Sequence, residues 1–113
     1  MELRSPDPSL NPYLAFALIV AAGLDGIEGH LVLPAAVDVD LYSADESITK
    51  ALVPLPDGLD KAIMLAENSH FVKSVIGEEL LTRFIAIKKA EAAAFAAAED
   101  KAKFDREQYF EVL

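Results

Sequence analysis

The sequence predicts a mainly α fold, a small helical bundle behind a short N-terminal extended strand. Three observations carry that prediction. Prolines at positions 6, 8 and 12 keep the first ten residues out of helix, because each fixes φ and biases its predecessor toward extended backbone. Residues 13–22 (YLAFALIVAA) are ten consecutive apolar residues. Farther on, AEAAAFAAAEDKAK is built almost wholly of strong helix formers.

Taken in order, residues 1–10 form an extended arm and residues 11–113 are helical. Asn11-Pro12 reads as a helix start, with Asn11 as N-cap and Pro12 at the first helical position. The helix over residues 12–23 is apolar all round, which predicts burial on every side. Gly23, Gly26 and Gly29 supply its stops. Residues 30–56 hold Pro34, Pro54 and Pro56 among scattered acids and read as a long surface loop. Asp57 is placed to cap a second helix over residues 58–67, with Leu59, Ile63 and Ala66 on one face. A short helix over residues 70–76 follows, and Gly77 separates it from a long one. From Glu78 onward Leu81, Phe84, Ile85, Lys88 and Phe95 recur at helical spacing. The closing FDREQYFEVL is either a separate helix or an extension of the long one.

At 113 residues the chain forms one domain or part of one. Nineteen acidic against ten basic residues give a net charge of -9, a sign that opposes phosphate backbones and anionic membrane surfaces and excludes nucleic acid as a natural partner. Without cysteine there is no disulfide, thiolate metal site or thiol nucleophile, which fits a cytoplasmic setting. The apolar run imitates a signal peptide, but Glu2 and Asp7 outweigh Arg4 ahead of it, where such a signal needs net positive charge. A spanning helix needs about 20 apolar residues, so ten do not predict a membrane protein.

Chemistry concentrates in the opening ELRSPDPS. On an extended chain, residues two apart share a face, so Glu2 and Arg4 point the same way while Leu3 faces a core. By spacing alone this is a surface ion pair of little worth. The residues around it say more. ELRSPDPSLNPYLAFALIVAAGLDGIE, then DLYSADES, ENSHFVKSVIGEELLTRFIAIKKAE and FDREQYF, resemble the C-terminal portion of the catalytic domain of the glutamine synthetase family over essentially the whole chain.

That resemblance implies an enzyme that uses ATP to phosphorylate the γ-carboxylate of glutamate and lets ammonia displace the phosphate. It implies that Glu2 ligates one of the divalent metals, Mg²⁺ or Mn²⁺, which take hard oxygen ligands. It implies that Arg4 contacts glutamate and the transferring phosphoryl region, since a guanidinium binds carboxylate or phosphate through paired hydrogen bonds. Tyr42 falls where some bacterial members carry an adenylylated tyrosine. Those members continue Asp-Leu-Pro, whereas here Ser43, Ala44 and Asp45 follow, and a plain loop tyrosine is the expectation. Ala92 stands where relatives often carry an aromatic residue. His30 and His70 match no ligand of the family and read as helix-end or surface histidines.

Missing from the sequence are the family's N-terminal β-grasp domain, the other metal-binding glutamates and the nucleotide loop. One carboxylate cannot hold a cation that needs about six oxygen ligands. The expectation is a C-terminal piece of a glutamine synthetase, inert alone, whose partners are the rest of that chain and neighbouring subunits. Two alternatives are a stand-alone helical interaction protein derived from that tail, and the tail of a ligase joining glutamate to another amine. On its own the chain is expected to self-associate, as a symmetric dimer, through the strand edge at Leu3 and the uncovered face of the first helix.

Overall fold

The computed structural model describes residues 3–110 and is mainly helical, a small bundle of six α-helices closed by a π-helical turn. Helix α1, Pro12–Glu28, begins where the sequence places it: Asn11 Oδ1 accepts hydrogen bonds from the amides of Tyr13 (3.0 Å) and Leu14 (3.3 Å). It runs past Gly23 and Gly26, which the sequence reading takes as stops, because a glycine inside a helix costs only about 1 kcal/mol. The stop is a Schellman motif. His30 takes the left-handed conformation at φ 50, its amide donates to Ile27 O (3.2 Å), and the Leu31 amide reaches back to Gly26 O (3.0 Å). His30 is thus a helix-end histidine, as expected, doing the conformational work usually given to glycine.

The loop from residue 30 contains one unforeseen turn, α2 (Glu46–Thr49), whose Asp45 cap accepts from the Ser47 amide at 2.8 Å. Helix α3 is Leu59–Asn68, with extended Gly58 rather than Asp57 as its N-cap. Asp57 spends its carboxylate on Lys61 instead, at 2.7 Å. Ser69 caps α4 (His70–Ile76) by accepting from the Val72 amide. Gly77, at φ 86, ends α4 and starts α5, a corner that disfavours any residue with a Cβ.

Helix α5, Glu78–Ala97, carries the core. Leu81 and Ile85 lie one turn apart and close on Ile63 of α3, with Ala66, Val72, Ile76 and Ala92 around them. An ion pair from Lys89 to Glu67 (2.7 Å) ties the same two helices at their rim. The C-terminal segment is separate from α5. Ala98 is extended, Asp100 caps α6 (Lys101–Asp105) through the Lys103 amide, and the π-turn Arg106–Phe110 follows. Phe104 packs edge-on against Phe95, with ring centroids 5.7 Å apart, and the Lys101 ammonium donates to Phe95 O and Ala96 O at the end of α5.

Two expectations are corrected. The first helix is not buried all round. Leu14, Ala15, Leu18 and Ile19 make a half-covered face, and α1 packs on α4. Tyr13, Phe16, Val20, Leu24 and Ile27 are exposed, Phe16 to 68%. A seven-residue α4 can cover one side of a 17-residue helix and no more. Nor does the arm form a strand: no strand occurs among the described residues, and Leu3 is exposed rather than facing a core. A strand needs a ladder partner, and nothing among the described residues offers one. The accessible surface of 9497 Å² exceeds the roughly 6,100 Å² usual for a folded monomer of this mass, so much apolar area stays uncovered.

Candidate functional site

The arm is irregular to residue 5 and then locks into a tight turn. Asp7 accepts from both the amide (2.8 Å) and the hydroxyl (2.6 Å) of Ser9, and the Leu10 amide closes onto Asp7 O at 3.1 Å. Those Ser9 hydrogen bonds hold the Asp7 carboxyl below the usual carboxylate range, with a smaller contribution from the nearby positive charge of Lys88. Arg4 lies on the exposed arm, three residues before this turn. Glu2 lies outside the described residues. The geometry therefore places Arg4 and leaves its pairing with Glu2 as a sequence expectation.

Tyr42 stands fully exposed on the loop. Its amide donates to Asp40 Oδ1 at 3.0 Å, in a turn that also engages the Ser43 hydroxyl. Its side chain projects from a loop, the position expected of it from the sequence. His70 is exposed at the first position of α4, away from any cluster of ligands. Among the described residues no three His, Cys, Asp or Glu side chains group closely enough to hold a metal ion. No helix among the described residues is long and apolar enough to cross a membrane.

The most developed polar cluster lies on α5, and the sequence reading did not single it out. Glu91, with a side chain only 10% exposed, accepts from Lys88 Nζ at 2.7 Å and from the Tyr109 hydroxyl. Burial alone would raise its pKa, but these two donors outweigh burial and lower it. Tyr109 is pushed up to about 12, first by its hydrogen bond to Glu91, then by burial and by the charges of Glu91, Asp105 and Asp7. The Lys88 ammonium also lies 5.9 Å from the Phe84 ring centroid. One signal was available in the sequence: Lys88 and Glu91 stand at i,i+3 on a helix. The contribution of Tyr109 comes from a π-turn that no local pattern announces.

Chemically, the described residues offer an exposed arm that carries Arg4 and a carboxylate, Glu91, held by an ammonium and a phenol. A family model described as glutamine synthetase, catalytic domain, matches residues 1–107. The glutamine synthetase of Halobacterium salinarum is 38% identical over 107 residues, covering 93% of this chain and 24% of that protein. That of Methanococcus maripaludis is 37% identical over 100 residues, 87% of this chain and 22% of that protein. That of Sulfolobus acidocaldarius is 40% identical over 95 residues, 81% of this chain and 20% of that protein. The chain belongs to the glutamine synthetase family. It spans a quarter or less of the length of these curated relatives.

Proposed function

We propose that these 113 residues work as the C-terminal part of a glutamine synthetase catalytic domain, in a cytoplasmic enzyme that ligates ammonia to glutamate at the expense of ATP. The observation that carries this reading is the match to the catalytic domain over residues 1–107, which includes the ELRSPDP block. In this reading Arg4 holds the glutamate substrate and the transferring phosphoryl region, because its planar fork pairs with carboxylate or phosphate oxygens. Glu2 is one oxygen ligand of a divalent cation, Mg²⁺ or Mn²⁺, whose remaining ligands come from sequence outside these residues. The ATP site and the groups that select ammonia over other amines also lie outside them. The uncovered face of α1 supports the reading, since contiguous apolar surface of that kind marks an interface. Its cover in the enzyme is the rest of the catalytic domain and neighbouring subunits.

The chain alone should then be silent. With ATP, glutamate, ammonia and Mg²⁺ or Mn²⁺, it should release no phosphate above a buffer blank. Turnover that survived repurification yet vanished in Glu2→Ala would overturn that. Built into the Halobacterium salinarum enzyme in place of the matching segment, the chain should support synthesis. There Arg4→Ala should weaken glutamate use by about 10- to 100-fold, the size of a lost charge-assisted hydrogen bond. Glu2→Gln should raise the metal concentration required. Parental kinetics in both variants would refute the assignment of these two side chains.

A further inference from the structure

Residues 98–110 are held to α5 at their two ends by side chains. Helix α5 closes at Ala98, extended at φ -66 and ψ 131, and Asp100 caps α6 afresh through the Lys103 amide at 2.9 Å. Residues 98–100 are thus a joint between two separately capped helices. The near attachment lies beside that joint. The Lys101 ammonium donates to Phe95 O and, at 2.8 Å, to Ala96 O in the last turn of α5, and lies 4.8 Å from the Phe95 ring centroid. Phe104 meets the same ring edge-on, with centroids 5.7 Å apart. The far attachment is the Tyr109 hydroxyl on Glu91, 18 residues back along the chain. Between the two, Ala102, Lys103, Arg106, Glu107 and Gln108 face solvent.

Two features make the far attachment reversible. Glu91 accepts from Lys88 at 2.7 Å as well as from Tyr109, so withdrawal of the phenol leaves the carboxylate paired and charged. An enclosed carboxylate without a second donor would resist that step, because a buried charge left unpaired is costly. The second feature is length. Helix α6 is five residues and the π-turn five more, too short to persist without tertiary support. Once the phenol lets go, the segment loses its shape together with its seat. The core does not share this dependence, since the cluster around Ile63, Leu81 and Ile85 takes nothing from residues 98–110.

We propose that residues 98–110 are a latch that opens and closes on α5 as one unit, with residues 98–100 as hinge, Tyr109 as bolt and Glu91 as keeper. Closed, it shelters Glu91 and Lys88. Open, it frees that stripe of α5 while the α3–α5 core stays folded. Lys88 holds Glu91 ready for reclosure. The latch does not depend on the reading of Arg4 or on the chemistry of the larger enzyme.

Native-state hydrogen exchange on the dilute 113-residue chain tests this. The probes inside the latch are the amides of Phe104, bonded to Asp100 O at 3.1 Å, and Arg106, bonded to Ala102 O. Those of Leu81 and Ile85 report the core. In the parent, Phe104 and Arg106 should share one opening constant, many-fold larger than that of the core. Tyr109→Phe keeps the ring and removes the hydroxyl. It should raise the shared constant by about 10- to 100-fold, the size of a lost charge-assisted hydrogen bond, and leave Leu81 and Ile85 unmoved. Glu91→Gln should raise it too, and the double variant should fall short of the product of the two single effects. Phe104 and Arg106 exchanging only as slowly as Ile85 would overturn the latch, because the segment would then open with the core. So would a Tyr109→Phe chain in which their exchange is unchanged, or in which Ile85 moves as far as they do. A double variant that reaches the full product would remove Glu91 as the keeper.

Discussion

Replacing Ile85 by Ala tests where the stability of this chain resides. Ile85 is 4% exposed and meets Ile63 and Leu81, the three residues that make up the buried core among the described residues. Truncations of this type cost about 2–5 kcal/mol, the lost transfer energy plus a cavity. The small core can partly collapse, which places this site near ~3 kcal/mol. A chain of 113 residues has a total stability of about 6–17 kcal/mol, so the loss is a large share but not the whole. With a urea slope near ~1.5 kcal/mol/M, the midpoint should fall by about 2 M. Phe16→Ala is the matching control: a larger side chain removed, but one 68% exposed on α1. In the dilute chain it should cost under about 0.5 kcal/mol, as exposed positions do. Urea titrations of both variants, followed by circular dichroism at low protein concentration, make the comparison. Equal losses in the two would refute the partition, because they would require the outer face of α1 to be covered in the monomer.

Two further outcomes follow from the same surfaces and pairs. At higher concentration the parent chain should scatter light as a dimer and Phe16→Asp as a monomer; a net charge of -9 favours a closed pair over open aggregation, and a parent monomer throughout would count against it. Of the three tyrosines, Tyr109 should titrate near pH 12 by ultraviolet absorbance, a step absent in Tyr109→Phe. Because its folded pKa lies above the unfolded value of about 10, its contribution to stability is complete below pH 10 and is lost as the pH rises from about 10 to 12. A Tyr109→Phe chain should therefore lose less stability over that window than the parent; equal losses would contradict it.

The helices were legible where a local rule decides them. Asn11-Pro12 starts α1, Gly77 turns the corner into α5, and Leu81 and Ile85 face inward, each fixed by a cap, a backbone angle or a periodicity. The misreadings occur where a local rule had competition. Asp57 could cap α3 or pair with Lys61, and it pairs. Gly23 could end α1 or lie within it, and it lies within, since a glycine inside a helix costs only about 1 kcal/mol. Apolarity on every side of α1 predicts burial all round, but composition does not say how much of a helix its neighbours can reach, and α4 covers one face only. The site divides in the same way. The ELRSPDP block singles out Arg4 in the sequence, whereas Glu91 and Tyr109 are 18 residues apart and meet only because α6 and the π-turn fold back on α5.

This separation gives the chain two parts with different dependencies. Helices α3, α4 and α5 pack around the buried core of Ile63, Leu81 and Ile85. Helix α1 is joined to them by one half-covered face on α4. Covering an apolar face does not by itself set a direction. Apolar contacts slide with little penalty, whereas a carboxylate between two donors has one best geometry. The apolar core therefore supplies attachment among the helices, and the Lys88–Glu91–Tyr109 group fixes the register of the C-terminal turn on α5.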